Sequence, residues 1–140
     1  MRAFTKYEKA FFGLSGAMGN DRWNSRYCKP SHRWLNPTDD RYQSLNVTNF
    51  ERYETKKTIE FRVWAGTLDC VLIMAAVSMA VTLVARAADC PDEGDQIAEP
   101  LAAAKAFSRN YLCKAKIVED CTITELTRVL YRQAKQCQLA

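Results

Sequence analysis

Ser44-Leu45-Asn46-Val47-Thr48 and Ile59-Glu60-Phe61-Arg62-Val63, followed by Ala65-Gly66-Thr67-Leu68-Asp69 and the uncharged run from Cys70 to Ala85, decide the fold. In both short segments the odd-numbered residues are apolar and the even-numbered ones polar. That period of two belongs to an extended chain with one face for a core and one for solvent or a ligand. The stretch between them, Asn49 to Lys57, is polar and reads as a hairpin connection, although it exceeds the usual two to five residues. On this reading Ser44, Asn46, Thr48, Glu60, Arg62 and, by extension, Trp64 share the polar face.

Working outward, the uncharged run is too short for a bilayer span, which needs about 20 such residues, so a buried core helix capped by Thr67 or Asp69 is expected. Phe4, Tyr7, Phe11 and Leu14 recur at helical spacing near the start of the chain, with Gly13, Gly16 and Gly19 expected to end that helix. Pro100 suits the first turn of another, with Leu101, Ala104, Phe107 and Tyr111 inward. Thr122 and Glu125 have capping-box spacing ahead of a last helix that turns Leu126, Val129, Leu130 and Cys137 inward. The expected fold class is α+β: a single domain over 1–140, mostly helical, with a β-hairpin packed on a central apolar helix. Open hairpin edges leave room for extension to a small antiparallel sheet, by a strand from the 19–40 loop or by dimerisation.

From Gly19 to Asp40 the sequence is a long loop of Gly, Asn, Asp, Ser and Pro carrying Arg22, Trp23, Arg26, Tyr27, Arg33 and Trp34. Loops of this length inside a domain usually bind something, and these residue types are enriched in interface hot spots. The segment is therefore a candidate lid or partner-docking surface. Residues 1–62 hold 12 Lys/Arg against 7 Asp/Glu, which would suit an anionic partner, but a nucleic-acid binder usually shows a denser basic stripe.

The six cysteines, Cys28, Cys70, Cys90, Cys113, Cys121 and Cys137, lie at wide spacings without a CxxC pair, which argues against a structural zinc site. Charges at Arg2, Lys6, Glu8 and Lys9 interrupt any signal-peptide run, so a reduced, cytoplasmic protein is expected. There is no glycine-rich phosphate loop and no nucleophile elbow.

The string Arg41-Tyr42-Gln43-Ser44-Leu45-Asn46-Val47, followed by Thr58-Ile59-Glu60-Phe61-Arg62-Val63-Trp64-Ala65-Gly66-Thr67-Leu68, resembles a signature found late in amidoligases of the glutamine synthetase and glutamate-cysteine ligase superfamily. Arg26-Tyr27-Cys28 is similar, more weakly, to the segment before it. The resemblance covers residues 20–88, leaving 89–140 as a helical extension. It implies ATP-dependent joining of a carboxylate to an amine on an antiparallel sheet, inside a bacterial or phage-infected cell. Carried over position by position, it implies a Mg²⁺ oxygen ligand at Glu60 and phosphoryl-group neutralisation by Arg62. Arg41 would hold an anionic group of nucleotide or substrate, and Asn46 would orient the ligand.

With one hairpin and a single histidine, His32, in the long loop, the chain is expected to be incomplete as a ligase on its own. Three functions stay open: a partial amidoligase completed by a second polypeptide or by self-association; a non-catalytic interaction module, such as a small phage-encoded inhibitor of a host protein; and a nucleic-acid-binding domain.

Overall fold

The computed structural model describes residues 2–14, 23, 25–30, 42–52, 54–55, 57–88, 95–114 and 120–139. The fold is α+β and mostly helical. In chain order it contains α1 (Arg2–Leu14), β1 (Leu45–Asn46), α2 (Thr48–Arg52), β2 (Glu60–Phe61), α3 (Cys70–Arg86), α4 (Pro100–Asn110) and α5 (Asp120–Leu139).

The hub of the core is α1. Phe4, Tyr7, Phe11 and Leu14 are buried as their spacing predicts, but so are Ala3, Ala10 and Phe12 around the rest of the helix. Tyr7 meets Phe107 and Tyr111 edge-on at 5.6 and 5.4 Å, while Phe11 stacks on Phe61 of β2 at 5.9 Å. Gly13 lies within the helix and does not end it: a Cβ there would sit 3.4 Å from the Ala134 backbone, so the missing side chain lets α5 approach. Gly16 and Gly19 lie outside the described residues.

The hairpin is antiparallel, with Leu45 opposite Phe61 and Asn46 opposite Glu60. Its strands are shorter than the alternation suggests. Asn46 accepts the Thr48 backbone N–H at 3.0 Å through its side chain, a local turn that competes with extended pairing and starts α2 at Thr48. That inserted helix accounts for the length of the connection, which is closed by Lys57 donating to the Phe50 carbonyl at 2.9 Å and Asn49 to Thr58 at 3.3 Å. Among the described residues the sheet keeps two strands, and an isolated parallel bridge pairs Lys29 with Gln43 just ahead of β1. The Lys29 N–H donates to the Tyr42 carbonyl at 2.7 Å, and the Ser44 N–H to the Lys29 carbonyl at 2.8 Å.

Asp69 caps α3 as expected, its Oδ1 accepting from the N–H groups of Val71 and Leu72 at 2.9 and 3.3 Å. The burial of α3 departs from expectation. Ala75, Met79, Thr82 and Leu83 face the core, whereas Val71, Ile73, Met74, Val77, Val81 and Val84 are exposed. The helix lies on the outside of a core that α1, α4 and α5 already fill, so only one edge of its apolar surface is covered.

Pro100 opens α4, which buries Ala103, Ala104, Phe107 and Ser108, with Leu101 half-buried. The last helix begins at Asp120, so Thr122 and Glu125 lie inside it and not ahead of it. It buries Leu126, Val129, Leu130 and Ala134, and its Cys137 Sγ lies 3.5 Å from the Gly13 carbonyl. Cys28, Cys70, Cys113 and Cys137 stand as thiols. No helix among the described residues is long and apolar enough to cross a membrane.

Candidate functional site

The strand register builds the site. Because Asn46 sits directly opposite Glu60, their side chains meet on the exposed face, with Asn46 Nδ2 donating to Glu60 Oε2 at 2.9 Å. Two residues along the same strand, Arg62 Nε lies 3.3 Å from Glu60 Oε1. Both carboxylate oxygens are therefore engaged, one by an amide and one by a guanidinium. Glu60 keeps 56% of its side chain exposed and Arg62 24%, so the pair can be reached from solvent.

The cluster continues beyond the hairpin. The Arg62 guanidinium lies 5.5 Å from the centre of the Tyr42 ring, Tyr42 meets Tyr27 edge-on at 5.7 Å, and Arg26 lies 4.7 Å over Tyr27. Arg26 also donates to the Tyr27 hydroxyl. The bridge at Lys29 holds this part of the loop beside the strand. Asn46, Glu60, Arg62, Tyr42, Tyr27 and Arg26 thus form one band in which a pair of aromatic rings lies between two cations. Two residues expected to dock a partner and three expected to handle a ligand belong to the same surface.

Other expected members are elsewhere. Ser44 is fully buried on the opposite side, donating to Glu8 of α1, because the chain bends at Ser44 before the strand begins. Thr48 has left the strand for α2. Trp64 packs on Phe61 and Phe11 at 5.5 and 6.0 Å, where its ring gains more from apolar burial than from the polar face. Trp23 packs edge-on against Phe12 at 4.6 Å, with Lys9 Nζ 3.5 Å over its ring, and is partly buried at the edge of the core. Arg22, Arg33, Trp34, Arg41 and His32 lie outside the described residues.

Behind the band lies a second polar cluster. Buried Glu8 accepts from Ser44 and, at 2.9 Å, from Gln96 Nε2, joining α1 to the start of β1 and to the segment ahead of α4. Nearby, burial lowers the pKa of Lys9 from its ordinary value, opposed by the negative charges of Glu8 and Glu99. Tyr42 and this clamp are the functional-face and core residues that sequence reasoning missed. Tyr42 stood inside the signature string beside Arg41. The clamp had no local signal, since its partners are 36 and 88 residues apart.

Comparison with protein-family models, with curated proteins and with solved structures finds no match for this chain.

Proposed function

We propose that the chain is a partial amidoligase-like domain whose exposed strand face receives the phosphates of a nucleotide, and that it is incomplete as a catalyst alone. The observation that supports this reading is the register that puts Asn46, Glu60 and Arg62 side by side on one accessible face. Arg62 presents a guanidinium, the side chain suited to phosphate oxygens, and Tyr42 supports it from one side. Asn46 fixes the Glu60 carboxylate and so sets where Arg62 points.

The donor set fits Mg²⁺ only in one form. A single carboxylate already facing a guanidinium is a poor seat for a bare divalent cation, and Mg²⁺ is normally held by one or two carboxylates together with substrate phosphates. Glu60 would supply one oxygen to an ion carried on the nucleotide, where Mg²⁺ neutralises phosphate charge. Among the described residues no group of three His, Cys, Asp or Glu side chains could hold a metal by itself.

Calorimetric titration tests the reading. ATP with Mg²⁺ is expected to bind in the millimolar range or tighter, Mg²⁺ alone not at all, and Arg62→Ala to weaken ATP binding by about tenfold or more. Binding unchanged in Arg62→Ala would sink the assignment of this face.

A second reading has its own observation. Arg26 and Tyr27 are exposed and continue the band outside the strand pair, as an interaction module would use them. If ATP does not bind, and a captured partner protein is released by Tyr27→Ala together with Arg26→Ala, this reading replaces the first. Capture of nucleic acid with an affinity that falls steeply with salt would point to the third function class.

A further inference from the structure

Of the two rings in the band, Tyr42 is half-buried and Tyr27 is open, with 52% of the residue exposed. An exposed tyrosine ordinarily receives no support from the chain around it. Tyr27 is supported on both sides. Ahead of it Ser25 makes a small turn, its Oγ accepting the Tyr27 N–H at 3.2 Å and its carbonyl the Cys28 N–H at 3.1 Å. Behind it Cys28 is buried, and its Sγ donates to the Arg62 carbonyl at 3.2 Å. Lys29 then pairs with the chain at Tyr42 and Ser44. Arg26 packs over the ring and donates to its hydroxyl.

The thiol contact runs to the backbone of the residue whose guanidinium belongs to the band. Tyr27 and Arg62 are therefore fastened to each other through Cys28, the neighbour of one and the partner of the other. A ring with two side-chain torsions, held by its flanking backbone, loses little freedom when a ligand settles on it. Such fixing serves a binding platform and has no use on a solvated loop.

Spacing narrows the ligand. The Arg62 guanidinium is 5.5 Å from the centre of the Tyr42 ring, and that centre is 5.7 Å from the centre of Tyr27, so cation and open ring are no more than about 11 Å apart. A guanidinium suits a phosphate, and an open aromatic ring suits any flat heterocycle. A nucleotide carries both, joined by a ribose.

We infer that Tyr27 is the base platform of this site: the heterocycle of a nucleotide whose phosphates lie on Arg62 stacks on its ring. This rests on Arg62 receiving phosphates, as proposed above. The surroundings favour a nucleotide over a protein side chain. Beside Tyr27 stand Arg26 and, past the buried Cys28, exposed Lys29, whereas the anchors of protein interfaces sit in well-packed pockets that exclude water. From Arg62 to Tyr27 the band offers one phosphate seat and one open ring, which suffices for a single nucleotide.

Calorimetry of the full chain with two probes, ATP and inorganic tripolyphosphate, each with Mg²⁺, tests the inference. Tyr27→Ala is expected to weaken ATP at least about fivefold and to leave tripolyphosphate within about twofold of wild type, while Tyr27→Trp keeps ATP affinity. Arg62→Ala should weaken both probes. Should Tyr27→Ala lose the fold, Tyr27→Leu, which keeps bulk without a π-face, decides in its place. Unchanged ATP affinity in Tyr27→Ala, with Arg62→Ala still weakening it, overturns the platform and leaves the phosphate seat standing. An equal loss for both probes overturns it as well, since the ring would then act only by holding Arg62 in place. If wild type binds tripolyphosphate and not ATP, the platform falls alone; if it binds neither, phosphate seat and platform fall together. An oligonucleotide bound far more tightly than ATP, with an affinity that falls steeply with salt, replaces the single nucleotide by a nucleic-acid strand.

Discussion

Two helices of this protein exchange the places that their compositions suggest. α3 has no charged residue before Arg86, yet it lies at the periphery with half its circumference bare. α1 contains Lys6, Glu8 and Lys9, yet its residues from Ala10 to Leu14 are all buried. The difference shows that burial is decided by what surrounds an element and by whether its polar groups find partners. α1 is enclosed by α3, α4, α5 and the hairpin, and its carboxylate is matched by two donors. For α3 the described residues supply neighbours mainly on the side of Ala75, Met79, Thr82 and Leu83.

The largest test of this contrast is truncation at the hub. Phe11 touches Phe4, Phe61, Trp64 and Phe107, so Phe11→Ala opens a cavity where four rings converge and is expected to cost about 3–5 kcal/mol in urea denaturation. A cost below about 1 kcal/mol would mean that α1 is not the centre of the core.

Next comes the buried clamp. Glu8→Ala removes the acceptor for both Ser44 and Gln96, leaving a fully buried hydroxyl without that partner and a small void, for an expected loss of about 2–3 kcal/mol. Ser44→Ala, which leaves Gln96 on the carboxylate, is expected to cost less, about 1–2 kcal/mol. If the two substitutions prove equal, Gln96 contributes nothing to holding Glu8.

What was legible in the sequence divides along the same line. The period-two alternation located the hairpin and put Asn46, Glu60 and Arg62 on one face, while their pairing follows from the register of the structure. Signals that act within a few residues, such as the Asp69 cap and Pro100 in the first turn of α4, were also readable. Ser44 and Trp64 were misplaced because alternation assumes that the strand continues, whereas the chain bends at Ser44 and the last cross-strand bond in this direction is the one from Arg62 N–H to the Ser44 carbonyl, ahead of Trp64. The exposure of α3 could not be read, since an apolar run has the same composition whether it faces a core or a second molecule. The pairing of Arg26 and Tyr27 with the strand face depends on a bridge at Lys29 that no local pattern announces.

A smaller effect concerns Lys9, the partly buried cation of the enclosed helix. Its pKa is lowered by burial, so between that lowered value and its ordinary one the unfolded chain binds the additional proton. Stability therefore rises with pH through that alkaline window, and the protonated side chain opposes folding below it. Lys9→Met is expected to abolish this contribution, so that the difference in stability between wild type and variant narrows as pH rises. A difference that is constant or widens with pH would show that the charge over the Trp23 ring is favoured in the folded state despite its burial.

The smallest effect is expected on the bare side of α3. Val84 is 52% exposed, so its truncation removes little burial, and alanine has the higher helix propensity. For the monomer at low concentration, Val84→Ala should leave stability within about 0.5 kcal/mol of wild type. Val84 lines an apolar groove with Phe50, Ile59 and Phe61, so if another molecule occupies that groove at higher concentration the same substitution should then destabilise. Concentration dependence thus separates two reasons for an exposed valine: a face covered only on assembly gives a cost that grows with protein concentration, whereas a permanently solvated face gives the same near-zero cost throughout.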